Sequence, residues 1–320
     1  MPDATKTSAA PESAEEATAT SAQGTKAPAK ELAKPRSLLQ DAVRDLVRRP
    51  LFLIPGGIIL VLIAMAAFPS LFASADPQLC ELGRSLQKPS ADAWFGYDAR
   101  GCDVYARTIY GTRTSITVGV LATLGSAVIA LIFGLVAGFY GKWVDAIISR
   151  GIDIVMGIPF LVGAIVILNS FRDDDGFRIG GIWGVLTALT LLGWMSMARI
   201  MRSTTMQTKQ ADYVTAARSL GASTGRLMFR HVLPNALTPL IVLATISLGV
   251  IISAEATLSF LGVGIQEPTI SWGVMINQSL GRIRESLHPL LFPAGFVSVT
   301  VLAFIMLGDA VRDALDPKLR

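Results

Sequence analysis

The chain has 320 residues, 52% of them hydrophobic and 16% charged, against roughly 25% charged in an average soluble chain. Its mean hydropathy of +0.53 suits a bilayer better than water, and its length fits a single integral domain. A formal charge of +4 gives no basis for a nucleic-acid partner. Two histidines without a Cys/His cluster give none for a structural zinc site.

Residues Met1–Arg36 are rich in Ala, Thr, Ser, Pro, Glu and Lys and nearly lack large apolar side chains. Such a segment buries too little surface to offset its ordering entropy, so a disordered leader is expected. Residues 37–50 form a short basic amphipathic stretch ending in Arg48 and Arg49. Six apolar runs follow, at Leu51–Phe68, Ile116–Phe139, Ile152–Asn169, Ile182–Ala198, Ala236–Gly262 and Leu290–Gly308. Each is near the ~20 residues that cross a ~30 Å hydrocarbon core. Pro55, Pro159 and Pro293 fall within them, as membrane helices tolerate. Gly134-x-x-x-Gly138 has the spacing that lets helix backbones approach closely, a weak signal in a glycine-rich span.

Placing the N-terminus inside puts 19 of the 28 Lys and Arg residues on the cytoplasmic side, as the positive-inside rule favours. The expected fold is an all-α membrane protein with six transmembrane helices over 51–311 and both termini cytoplasmic. The loops at 69–115 and 263–289 are then external. The loop at 199–235 and the tail at 312–320 are cytoplasmic.

The cytoplasmic loop carries ADYVTAARSLGASTGRLMFRHVLPN over Ala211–Asn235. Asp212 is placed to cap a short helix on which Tyr213, Ala216, Ala217 and Leu220 recur at i, i+3, i+4 and i+7. A helix of two turns is unstable alone and wants a partner groove. Gly221 stands where the left-handed stop belongs. Ser223 is placed to cap a second helix through Arg230, and Leu233-Pro234 leads back into the membrane.

This segment resembles the EAA loop of ABC importer permeases, in Thr215-Ala216-Ala217, Gly221 and Leu233-Pro234, and the resemblance makes these residues and Ala222 part of the ATPase-coupling set. The rest resembles the C-type permease subunit of dipeptide and oligopeptide importers. The matching residues are Trp94-Phe95-Gly96, Gly101-x-Asp103-x-x-x-Arg107, Tyr110-Gly111-x-Arg113-x-Ser115, Gly193-Trp194 with Arg199, Glu255–Gly262, Ser271-Trp272-Gly273 and Asp313–Pro317. The resemblance implies a type I ABC importer permease architecture. It also implies a second permease subunit, two ATPase subunits holding ATP and Mg, an extracytoplasmic substrate-binding protein and a peptide substrate. The loop helix, with Asp212, Tyr213, Thr215, Ala216, Ala217, Arg218 and Leu220, would sit in a cleft of an ATPase. Closure of the ATPases would swing that helix and alternate access to the path.

One departure is Thr215, where the family has Glu. If Asp212 is the cap, that position is the third helical residue, from which Glu reaches back to the cap's N–H. The chain has no G-x-x-x-x-G-K-[ST] phosphate loop, so no cofactor is expected on it and no catalytic residue is assigned.

Cys80 and Cys102 both lie in the first external loop, where a bridge would close 23 residues and contribute roughly 3 kcal/mol. Two free thiols are the other reading. Trp94, Phe95, Tyr97 and Asp98 either receive the binding protein or cap the bundle. Trp272 is suited to an interfacial anchor, and Trp272–Leu287 to a flat amphipathic helix that contacts the binding protein or forms a gate. Glu255, inside the fifth span, either lines the path or bonds across helices. Asp153 reads as a local partner of Arg150.

Three other readings compete with this one. A related importer for nickel chelates or another small solute shares the loop and topology. A stand-alone secondary transporter is expected to show an internal repeat and coupling residues at the midplane; no clear repeat is visible. An intramembrane enzyme needs paired catalytic groups, and His231 and His288 fall in separate loops without forming such a pair.

Overall fold

The computed structural model describes residues 50–170, 172–173, 176–177 and 181–315. The leader, nearly all of the basic stretch and the end of the tail lie outside these residues. The described helices are α1 (Pro50–Ala67), α2 (Pro69–Phe72), α3 (Val104–Tyr140), α4 (Lys142–Met156) and α5 (Phe160–Ser170). After a two-residue hairpin, β1 (Arg172–Asp173) with β2 (Gly176–Phe177), come α6 (Gly181–Lys209) and α7 (Asp212–Ser219). The chain ends in α8 (Thr224–Phe260), α9 (Trp272–Ser279) and α10 (His288–Leu315).

Five of these helices are long and apolar enough to cross a bilayer, and α4 with α5 makes a sixth span if the pair is counted as one. Their outward faces stay apolar. Leu60, Val128 and Leu302 are all more than half exposed, which suits hydrocarbon as solvent and not water.

The second apolar run proves to be the inner part of a helix that starts at Val104, not Ile116. Asp103 caps it, its carboxylate accepting from the N–H groups of Tyr105 (2.8 Å) and Ala106 (3.1 Å). Its first turns carry polar residues that satisfy themselves. Thr108 and Thr112 donate to the carbonyls of Val104 (2.6 Å) and Thr108 (3.0 Å). At about 1.5 Å per residue, 37 residues make roughly 55 Å, well beyond a ~30 Å core.

The α3–α6 contact organises the bundle. A Cβ on Gly134 would lie 2.7 Å from the Ala198 carbonyl oxygen, and one on Gly138 2.6 Å from that of Arg202. Only glycine permits this backbone approach, so the Gly134-x-x-x-Gly138 spacing marks a real helix contact. Around it, one cluster joins Leu135, Phe139, Ile152, Met197, Met201, Leu227 and Val232. A second joins Val118, Leu168, Leu189, Leu258 and Val274. A third joins α1, α9 and α10 through Ile59, Leu62, Trp272 and Phe304.

The third expected span, Ile152–Asn169, is broken. α4 and α5 meet at 92° across Gly157–Pro159. Pro159 has no N–H to continue the helix and disfavours the helical conformation at Ile158. The expected fourth span likewise runs on, as α6, to Lys209.

Candidate functional site: the segment between α6 and α8

α6 extends beyond its apolar stretch because its polar end is tied to its neighbours. The Arg202 guanidinium forks onto the Asp145 carboxylate of α4, Nε to Oδ1 and Nη2 to Oδ2 (2.6 Å for the latter). Arg199 pairs with Asp153 at 2.6 Å. Asp153 is therefore held by α6, not by Arg150, its neighbour on the same helix. Lys209 donates to the Phe139 carbonyl at the end of α3. These bonds fix three helix ends before the chain turns into α7.

α7 begins one residue earlier than the sequence suggests. Its cap is Ala211, and Asp212 is the first helical residue, making no side-chain capping bond. The Asp212 carboxylate still complements the positive helix start and Arg218 the negative end. Thr215 is consequently the fourth helical residue. No reach back to the Asp212 N–H arises there, and its side chain is exposed.

The expected contact stripe divides. Val214 is fully buried in the cluster of Phe139, Ile152 and Met201, and Ala217 and Ala222 pack against the same cluster half-buried. Tyr213, Ala216, Arg218 and Leu220 stay outside, with Leu220 88% exposed. One face of α7 thus anchors it, and the opposite face has no cover among the described residues.

Gly221 ends α7 at φ +83°. The Gly221 N–H bonds the Arg218 carbonyl (3.0 Å) and the Ala222 N–H bonds that of Ala217 (3.1 Å). This is the paired Schellman stop, which needs the left-handed conformation at that residue. Ser223 then caps the next helix by accepting from the Arg226 N–H at 3.4 Å. That helix does not stop at Arg230. It passes through a wide π turn, Leu227–Val232, and runs on through Leu233-Pro234 to Phe260. The Leu233 N–H reaches back five residues to Met228, and the wider turn relieves the clash a proline ring makes with the preceding turn. Leu233-Pro234 follows that turn inside one continuous helix, half-buried at Leu233 and exposed at Pro234.

The far end of the bundle holds a second polar assembly. Cys80 and Cys102 are joined by a disulfide. Arg107, almost fully buried, pairs with Asp98 at 2.9 Å and donates to Gln278 Oε1 at 3.0 Å. Asp98 Oδ1 also accepts from the N–H groups of Arg100 and Cys102. Arg100 pairs with Glu267 at 2.6 Å. Phe95 stacks on Phe292, and His288 meets the Tyr97 carbonyl at 3.1 Å. Phe95, Tyr97 and Asp98 therefore cap the helix ends, while Trp94 stays exposed. Between this cap and α9 lies a cavity of about 580 Å³, with Val104, Ile265 and Val274 in its wall and Arg100, Glu267 and Arg282 among its polar lining.

Trp272 is not an interfacial anchor. It is fully buried, and its indole N–H donates to the Thr108 carbonyl at 3.0 Å. The helix it starts ends at Ser279, short of the expected Leu287. Glu255 is also fully buried; Ser259 donates to its Oε1 at 2.8 Å, and Ser115 and Ser271 face the carboxyl group from α3 and the start of α9.

Sequence reasoning missed Val214, although a stripe drawn through 214, 217 and 221 has the same period as the one chosen. It also missed the Asp145–Arg202 fork, whose partners lie 57 residues apart. Arg107 and Asp98 were each singled out, but nothing in the sequence pairs them.

A bundle of long apolar helices with an ordered polar segment between α6 and α8 has the build of a polytopic membrane protein. Residues 130–320 match the family described as binding-protein-dependent transport system inner membrane components, and 37–89 match the N-terminal transmembrane domain of oligopeptide transport permease C. The chain belongs to the first of these families, which makes it a multi-pass inner-membrane protein of the ABC importer permease type. It is 38% identical to the oligopeptide transport system permease protein OppC of Bacillus subtilis, over 90% of this chain and 92% of that one. It is 41% identical to the dipeptide permease DppC of the same organism, over 89% and 87%. A glutathione transport system permease, GsiD of Pectobacterium atrosepticum, is 34% identical over 87% and 90%. Among solved structures, an inward-facing form of the MetNI methionine ABC transporter superposes with a TM-score of 0.54, covering 66% of this chain and 97% of that one at 21% identity. That match concerns the fold alone.

Proposed function

We propose that the chain is one permease subunit of an ATP-driven importer for dipeptides or oligopeptides, forming half of the path with a second permease. Relatives named for oligopeptide, dipeptide and glutathione transport support the substrate class. The loop end is cytoplasmic and the disulfide end external, consistent with 19 of 28 basic residues on the inner side when both termini are inside. Two ATPase subunits supply ATP and Mg chemistry, and an external binding protein delivers the peptide.

The observation that carries this reading is the divided face of α7. Val214 roots the helix in the core while, among the described residues, Tyr213, Ala216 and Leu220 stay exposed. A rooted helix with an open apolar face transmits a push to α3, α4 and α6, which a loose loop does not. Ala216→Glu places a charge on the open face without touching the root. We expect it to abolish co-purification of the ATPases while the permease pair stays intact. Normal co-purification with this variant would remove the docking assignment.

A further inference from the structure

The surroundings of Glu255 carry an inference that rests on the importer reading and deepens it. α8 runs as one helix from Thr224, just past the segment that holds α7, to Phe260 at the opposite end of the bundle. At about 1.5 Å per residue its 37 residues make a rod of roughly 55 Å. Glu255 lies in the last two turns of that rod, fully buried.

A buried carboxyl group is costly unless its oxygens find donors. Ser259 donates to Oε1 at 2.8 Å, while its own oxygen accepts from the Ile265 N–H at 3.0 Å. Ser115 of α3 accepts from the Trp272 N–H and Ser271 from the Val274 N–H, each at 3.3 Å. A serine hydroxyl has one hydrogen to give besides its two lone pairs. Among the described residues nothing else takes the hydrogens of Ser115 and Ser271. Both hydroxyls face the Glu255 carboxyl group, whose Oε2 is otherwise without a partner among these residues. Three serines therefore stand in the same relation to one acid. Each holds a backbone N–H of the segment that follows α8 and turns its hydrogen toward Glu255.

That segment is seated without slack. A Cβ on Gly273 would lie 2.6 Å from the Ala256 carbonyl oxygen, and one on Gly264 2.6 Å from the Ser259 nitrogen. Further out, the same segment carries Glu267 and Gln278, which hold Arg100 and Arg107 of the disulfide cap.

We propose that Glu255 is a positioning residue that clamps the external segment 262–279 to the outer end of α8. A binding protein acting on that segment and an ATPase acting on α7 are then joined through one helix. Glu255 touches neither partner and works through Ser115, Ser259 and Ser271. Coupling between distant sites needs an element that both of them bias, and α8 with its clamped end is that element.

The test uses the complete complex in proteoliposomes with the native chain, Glu255→Gln or Glu255→Ala. Gln keeps the shape and one accepting oxygen, and Ala removes both. Backbone hydrogen exchange reads the clamp; ATPase with and without peptide-loaded binding protein reads the coupling. We expect Glu255→Ala to speed exchange over 262–279 roughly tenfold or more, while 211–223 exchanges as in the native chain. Basal ATPase should stay within about twofold of native, and its stimulation by loaded binding protein should fall roughly fivefold or more. Glu255→Gln should lie between native and Ala on both readouts. Unchanged exchange over 262–279 in both variants overturns the clamp. Faster exchange there with full stimulation overturns the coupling role. Faster exchange throughout the chain, or loss of basal ATPase, makes Glu255 a support of the whole bundle and overturns the proposal as well. If the native complex itself shows no stimulation by loaded binding protein, the importer reading has failed, whatever the variants do.

Discussion

Truncating Leu220 to alanine separates a docking face from an ordinary surface. The side chain is 88% exposed, so within the chain it holds almost nothing, and its removal is expected to change the stability of the permease by under about 0.5 kcal/mol. If the face enters an ATPase groove, about three methylene equivalents at roughly 0.8 kcal/mol each are lost there, about 2 kcal/mol in all. That weakens association by roughly thirtyfold. Leu220 is the C-cap of α7, with φ −79° and ψ 6°, a backbone that alanine adopts equally well, so the helix is left intact. The assay is a titration of purified ATPase against the immobilised permease pair, with thermal unfolding of the pair measured separately. An affinity within twofold of the native value refutes docking through this face. A large fall in unfolding temperature would show that Leu220 is covered within the permease pair and not by the ATPase.

The stop of α7 and the cap at the other end give two more tests. Gly221 has φ +83° and open space around it, so Gly221→Ala should cost about 1–2 kcal/mol from the left-handed backbone alone, with no clash. Gly221→Asn should cost less, because Asn tolerates that conformation; transport-coupled ATPase should fall in the same order. Asp98→Ala leaves the Arg107 guanidinium, 4% exposed, buried without its counter-charge, and should destabilise the chain by about 3–5 kcal/mol in chemical denaturation. Asp98→Asn keeps the acceptor that holds the Arg100 and Cys102 N–H groups and should lose less. Equal losses would mean that the charge does not matter.

The apolar spans were legible because a bilayer demands long apolar runs, and Gly221 because few residues other than glycine tolerate that stop. The start of α3 was hidden by its composition. Arg107, Thr108 and Thr112 look like loop residues until Asp98 and the i−4 carbonyls satisfy them. The break at Pro159 was visible as a proline, but proline alone does not separate a mild kink from a 92° turn. Val214 and Ala216 differ little in character, and only the position of Phe139 and Met201 across the bundle decides which faces inward. Trp272 was misjudged because an amphipathic ring fits an interface as well as it fits a buried site with one acceptor, here the Thr108 carbonyl. Asp153 found its partner 46 residues away, on a helix whose course past Ala198 the apolar pattern did not reveal.

The central claim is that this chain moves peptide only as part of an ATP-driven complex. Proteoliposomes holding both permeases, the ATPases and the binding protein should accumulate labelled peptide when ATP reaches the ATPase side. Accumulation should stop when ATP is withheld or when Ala216→Glu replaces the native chain. Uptake by the permease pair alone, driven by a proton or sodium gradient without ATPase subunits, would contradict the account.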